Sequence, residues 1–189
     1  MYFCGAYFAQ KDRKMGQALP HKKVKLIIGF IFNDETVLKK AEVLISKKFG
    51  PIDFHSQIID FLHTDYYNKE FGENLKRKFI SLKYLINPEN IYKVKLITNN
   101  IEHRLSSYGK RMVNIDPGYI TLSKMILLTT KDYGHRVYLQ KGIYAESTLK
   151  FHKDTYQGWE TTYSDYRSNS YIEVFNRIRD LYKKQLIGT

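Results

Sequence analysis

The sequence predicts an α+β fold: a mixed, mainly antiparallel sheet with helices packed on it. Two observations carry this. Strand-length apolar runs rich in Val, Ile and Phe recur between segments whose apolar residues follow helical spacing. Their order, strand-helix-strand-strand-helix-strand followed by a hairpin and a closing helix, makes a ferredoxin-like β-α-β-β-α-β unit a candidate frame for the first part.

Each element has a local reason. Residues 1–21 show no sustained period, and Lys11-Asp12-Arg13-Lys14 ends their apolar patch, so a poorly structured extension is expected ahead of a single domain over 22–189. Val24 to Phe32 is a continuous apolar run and reads as a buried strand. Asn33 and Asp34 can cap a helix in which Val37, Leu38, Ala41, Leu44 and Ile45 recur at helical spacing, and Gly50-Pro51 stops it. Ile52 to Leu62 predicts a second strand, residues 64–75 a polar, tyrosine-bearing connection, and Lys78 to Leu85 a third strand. Asn87-Pro88 joins a capping side chain to a first-turn proline, and the helix it starts runs to about Leu105.

Gly109 ends that helix, and Arg111 to Ile115 predicts a short strand closed by turn chemistry at Asp116-Pro117-Gly118. Leu122, Met125, Ile126 and Thr129 predict a short buried helix over about 120–130, with a strand as the alternative because Ile126, Leu127 and Leu128 are consecutive. His135 to Leu139 and Ile143 to Phe151 predict a hairpin turning at Gln140-Lys141-Gly142. Ser170 and Glu173 form a capping box for a final helix, about 169–186, with Ile172, Phe175, Ile178 and Leu181 in one apolar stripe. The helices are expected on one side of the sheet.

Composition narrows the function classes. The chain carries 31 Lys and Arg against 19 Asp and Glu, a net charge of +12. Such an excess favours phosphorylated ligands or nucleic acid, although a lysine-rich compositional bias gives the same number without a function. The 16 Tyr suit half-buried strands and binding surfaces alike. A lone cysteine, Cys4, excludes an intramolecular disulfide, and no Cys/His spacing matches a zinc site. Apolar runs fall short of the roughly 18 residues that span a bilayer. In residues 1–14 the charge follows the apolar stretch, the reverse of a secretory signal, so a cytoplasmic protein with no membrane partner is expected. No phosphate-binding G-x-x-x-x-G-K-[ST] loop, dinucleotide-binding G-x-G-x-x-G or G-x-S-x-G nucleophile elbow is present.

Polar residues concentrate in 111–148. Asn114 and Asp116, two apart, share a face of a strand, although Asp116 is also an ordinary turn or cap residue. Thr129-Thr130-Lys131-Asp132-Tyr133-Gly134-His135-Arg136 gathers donors suited to phosphate or carboxylate, with His135 as an acid–base candidate or a plain surface histidine. Glu146 sits among apolar residues of the hairpin, in phase with Tyr144 and Thr148. Asp65 and Arg167 lie in tyrosine-bearing loops. The geometry predicts that Asp116, Lys131, His135, Arg136 and Glu146 line one pocket. The alternative is a ligand-free ion-pair network in which Arg136 pairs with Glu146 and Lys131 with Asp132.

From about Val24 to Leu186 the chain resembles a bacterial family named domain of unknown function 4416. The resemblance rests on Lys25-Leu26-Ile27-Ile28-Gly29, Thr64-Asp65-Tyr66-Tyr67, Gly72-Glu73-Asn74-Leu75-Lys76-Arg77, Arg111 to Gly118, Thr129 to Asp132, His135 to Leu139 and Gly142 to Glu146. Ser164 departs from it where a Thr-Tyr-Pro-Asp-Tyr-Arg pattern has proline. The resemblance implies no particular activity.

Three readings follow from the residues. The first is a protein that binds or processes a phosphorylated small molecule or nucleotide. There His135, Asp116 and Glu146 are the catalytic candidates, Lys131, Arg136, Arg111, Asn114, Arg167 and Asp65 bind the ligand, and Mg2+ among the carboxylates is a candidate cofactor. The second is an RNA- or DNA-binding module in which tyrosines stack bases. The third is a structural or interaction protein whose motifs are turns and caps.

Overall fold

The strand Lys25–Phe32 (β1) is buried at all 8 residues, which requires cover on both faces of the sheet. The computed structural model describes residues 16–61 and 74–187. After β1 come α1 (Glu35–Phe49), β2 (Ile52–His55), β3 (Ile59–Asp60), β4 (Lys76–Leu82), α2 (Ile91–Arg104), β5 (Val113–Ile120), β6 (Lys124–Thr129), β7 (Val137–Gln140), β8 (Ile143–His152), β9 (Thr155–Gly158) and α3 (Asn169–Ile187). Short 3-10 turns at Pro88–Asn90 and Asp165–Arg167 precede α2 and α3. Residues 16–21 are exposed and lie outside any strand or helix.

The strands form one antiparallel sheet in the order β2-β4-β1-β5-β6-β8-β7, with β3 beside β4 and β9 beside β8. The segment read as β-α-β-β-α-β occupies β2-β4-β1-β5, and the sheet continues beyond it. Helices cover both faces rather than the one expected. Leu26, Ile28, Phe30 and Phe32 pack with Leu38, Ala41 and Ile45 of α1 and Ile91, Val94 and Ile101 of α2. On the opposite face Ile27 and Phe79 pack with Tyr171, Phe175, Ile178 and Tyr182 of α3. Buried Lys25 ties three elements together, bonding Asp53 of β2 and Gln185 Oε1 of α3, the latter at 2.9 Å. Among the described residues no helix is long and apolar enough to cross a membrane.

Local chemistry explains several boundaries. Asp34 caps α1 by accepting the Thr36 N–H at 2.7 Å. The β7–β8 hairpin turns at Lys141 and Gly142, both at positive φ (53° and 74°), the backbone of a two-residue turn. The helix α3 starts at Asn169, and Ile172 N–H donates to Ser168 O at 3.1 Å. The cap therefore falls at Ser168, ahead of the expected Ser170.

Three expectations are corrected. Residues 124–129 are strand β6 and not a helix: Met125, Ile126 and Leu128 are all buried, and cover on both faces gives a strand apolar spacing that mimics a helix. Ile52 to Leu62 is not one strand. Ser56 interrupts it, donating its N–H to Phe79 O at 2.8 Å and accepting the Phe79 N–H on Oγ at 2.9 Å, so a side chain replaces one rung of the ladder. Asp116-Pro117-Gly118 is not a turn but the middle of β5, paired with Gly29, Ile28 and Ile27.

Candidate functional site

The proline inside β5 marks where the sheet opens. β5 and β6 pair only from Gly118↔Leu127 to Ile120↔Met125. At Gly118 a Cβ would lie 2.2 Å from the Ile126 carbonyl oxygen, so glycine permits the last close approach. Beyond it the strands part. Ile115 gives its backbone to α2 instead of to a strand: its N–H donates to Glu102 Oε1 at 2.5 Å and its carbonyl accepts from Lys95 Nζ at 2.9 Å. Pro117 is in phase with Ile115 along the strand, so its missing N–H falls on the gap side and leaves the β1 ladder intact.

Between the parted strands lies a cavity of about 710 Å³, within the range of small-molecule sites. β5 contributes Asn114 and Asp116, α2 contributes Lys95, Asn99 and Glu102, and β6 with its following loop contributes Leu127 to Lys131, Tyr133 and Arg136. The end of α2 and its following loop add His103, Ser106, Gly109 and Arg111, and Glu146 of β8, Tyr163 to Tyr166, and Ile31, Phe61 and Arg77 complete the walls.

Two ion-pair networks line it. On the β5 side Arg111 NH1 donates to Glu102 Oε2 (3.2 Å) and to Asn114 Oδ1 (3.1 Å), and Asn114 Nδ2 donates to Asp116 Oδ2 (2.7 Å). Lys95 Nζ stands 3.6 Å from Asp116 Oδ1. Burial raises the Glu102 carboxyl above the usual range, against the pull of Lys95. On the β8 side Glu146 Oε2 accepts from Arg136 Nε at 2.7 Å and meets His135 Nε2 at 3.2 Å, while Thr148 Oγ1 donates to Oε1 at 3.3 Å. Arg136 NH1 donates to Lys131 O at 3.0 Å, and its guanidinium lies 4.5 Å from the Tyr133 ring centre.

Arg77 is the misfit. Its side chain is 2% exposed. NH2 donates to Tyr166 Oη, and NH1 is 3.5 Å from Asp116 Oδ2. Phe79, Tyr166, Tyr171 and Phe61 surround the guanidinium at 4.9, 5.1, 5.8 and 5.9 Å. Among the described residues its Nε and NH1 have no hydrogen-bond partner. Burying a charged group with unused donors destabilises a fold. Burial also pushes the Tyr166 phenol well above its ordinary pKa, against the pull of Arg77, so Tyr166 stays a neutral hydroxyl.

The residues singled out from sequence divide by place. Asp116, Asn114, Arg111, Lys131, Arg136 and Glu146 all line the cavity. Asp116 and Glu146 share one face of the sheet, linked by the alignments Gly118↔Leu127 and Leu127↔Glu146. His135 touches Glu146 but is not a wall, and Arg167 is exposed, its stem packed against Gly158. Asp65 lies outside the described residues. The Arg136–Glu146 pair of the ligand-free alternative is present. Among the described residues no cluster of three or more Asp, Glu, His or Cys is arranged for a metal ion. Sequence reasoning passed over Arg77, Lys95 and Glu102. Their signal was charge in a buried phase: Arg77 alternates with Leu75 and Phe79, and Lys95 and Glu102 fall among Ile91, Thr98 and Ile101.

A family model described as Domain of unknown function (DUF4416) matches residues 22–182. The chain belongs to this family. The DUF4416 match begins after residues 1–21 and spans every cavity wall from Ile31 to Tyr166. No curated protein and no solved structure matches the chain.

Proposed function

We propose that the cavity binds a phosphorylated small molecule, nucleotides included, with its phosphate on Arg77. The observation that carries this reading is buried Arg77, a residue of the cavity wall whose Nε and NH1 make no hydrogen bond among the described residues. A phosphate oxygen accepts charge-assisted hydrogen bonds and removes that penalty. Lys95 and Lys131 add positive charge to the same walls. Glu146, held by Arg136 and His135, and Asp116 are two of the cavity carboxylates, and turnover of a phosphorylated compound would draw on them.

The test is thermal denaturation of the full chain with inorganic phosphate, phosphorylated metabolites and nucleotides. A ligand of the native state raises Tm by an amount that grows with the logarithm of one plus its concentration over Kd. The expected result is a rise with at least one phosphorylated compound, abolished in Arg77→Met. No rise with any of them overturns the reading.

Nucleic-acid binding is the second reading, favoured by the exposed aromatics Tyr138 (57%) and Trp159 (42%) and by Lys150 lying 4.4 Å from the Trp159 ring centre. Single-stranded oligonucleotide binding that weakens steeply with salt and is lost in Tyr138→Ala would support it.

A further inference from the structure

The four cavity carboxylates are not equivalent. Glu102 accepts from Ile115 N–H and Arg111, and Glu146 accepts from Arg136 and Thr148 and meets His135. Both are saturated. Asp116 accepts one hydrogen bond, from Asn114, and stands 3.5 and 3.6 Å from two cations that it shares. Asp165, 7% exposed, accepts the Tyr166 N–H on Oδ1 at 2.9 Å. Both carboxylates lie in the field of Arg77. A purely anionic ligand reaching Arg77 is therefore drawn by the guanidinium and repelled by two carboxylates with accepting capacity to spare.

We infer that the ligand is zwitterionic, a phosphorylated amine whose phosphate meets Arg77 and whose ammonium meets Asp116 and Asp165. The inference rests on the phosphate reading above. An ammonium in that position turns both carboxylates from repulsive to attractive groups and satisfies their open lone pairs.

The experiment is calorimetric titration of the full chain with a matched pair of probes, 2-aminoethyl phosphate and 2-hydroxyethyl phosphate, together with inorganic phosphate. The pair differs only in ammonium against hydroxyl. The aminoethyl probe is expected to bind about tenfold more tightly, the equivalent of one modest charge pair. Asp116→Asn and Asp165→Asn keep an oxygen acceptor for Asn114 and for the Tyr166 N–H, and circular dichroism checks their fold. In each, the aminoethyl probe should bind more weakly, while the hydroxyethyl probe and inorganic phosphate bind more tightly. Equal affinity of the two probes in the unaltered chain, or shifts of the same sign in the Asn variants, overturns the inference and leaves the phosphate reading standing if Arg77→Met abolishes phosphate binding. Failure of all three probes to bind also overturns the inference, and the phosphate reading then stands or falls on the thermal screen above.

Discussion

Replacing Arg77 with methionine separates a ligand-binding arginine from a structural one. Methionine fills a similar length and keeps contact with the aromatic rings. The change removes the hydrogen bond to Tyr166 Oη, worth about 1.5–3 kcal/mol for a charged donor. It also removes cation–π attraction from the surrounding rings, worth about 1–2 kcal/mol. Against these stands relief of a buried charge with two nitrogens that make no hydrogen bond among the described residues, worth on the order of several kcal/mol. Asp116 is not orphaned, because Asn114 and Lys95 remain beside it. Loss and relief cancel to within about 1 kcal/mol. Urea denaturation of both proteins reads the difference as a shift in midpoint at constant slope. A loss of about 3–5 kcal/mol, the cost of breaking a buried ion pair, would show that Arg77 holds the 3-10 turn and α3 in place and would refute the reasoning.

Two further outcomes follow from burial. Phe175 is fully buried, edge-on to Phe79 at 4.9 Å and stacked on Tyr166 at 5.9 Å, so Phe175→Ala should cost about 3–5 kcal/mol in the same denaturation assay, and an unchanged midpoint would mean that α3 does not dock there. Burial raises the folded-state pKa of Glu102, so the stability linked to its protonation is fully present below its unfolded value near 4.5 and is lost as pH rises through the folded value. Glu102→Gln lacks this titration, and its stability relative to the unaltered chain should rise between pH 4.5 and 7; a flat or falling difference contradicts the assignment.

What was legible in the sequence was what packing alone decides. β1 was visible because Leu26 to Phe32 is apolar at every position except Gly29, and α3 because Phe175 and Ile178 repeat at helical spacing. The same apolar continuity already implied two covered faces, yet the helices were expected on one. β6 was misread because a strand buried on both sides loses its alternation. Pro117 was taken for a turn because its tolerance inside β5 depends on Glu102 and Lys95, side chains from a distant helix, serving Ile115. Asp116 and Glu146 were visible as carboxylates near predicted strand ends. Arg77 was passed over although it alternates with Leu75 and Phe79, because Lys76 and Lys78 on either side make the strand read as a basic surface edge.

The cavity sits where four unfavourable choices coincide. A sheet optimised for stability would close β5 onto β6, with an N–H available at position 117 and apolar side chains at 77, 95 and 102. This chain has proline at the first and charged groups at the other three, drawn from β5, β4 and α2. Each choice alone is destabilising: a lost ladder bond, a buried guanidinium with open donors, and a buried lysine and glutamate spent on backbone groups that a neighbouring strand would satisfy. Scattered through the molecule, they would be local defects with separate compensations. They meet instead around one space large enough for a small molecule, and what the described residues do not supply is a hydrogen-bond acceptor for Nε and NH1 of Arg77. The proposed anion would supply it, which is why stability and affinity are predicted to separate at that residue.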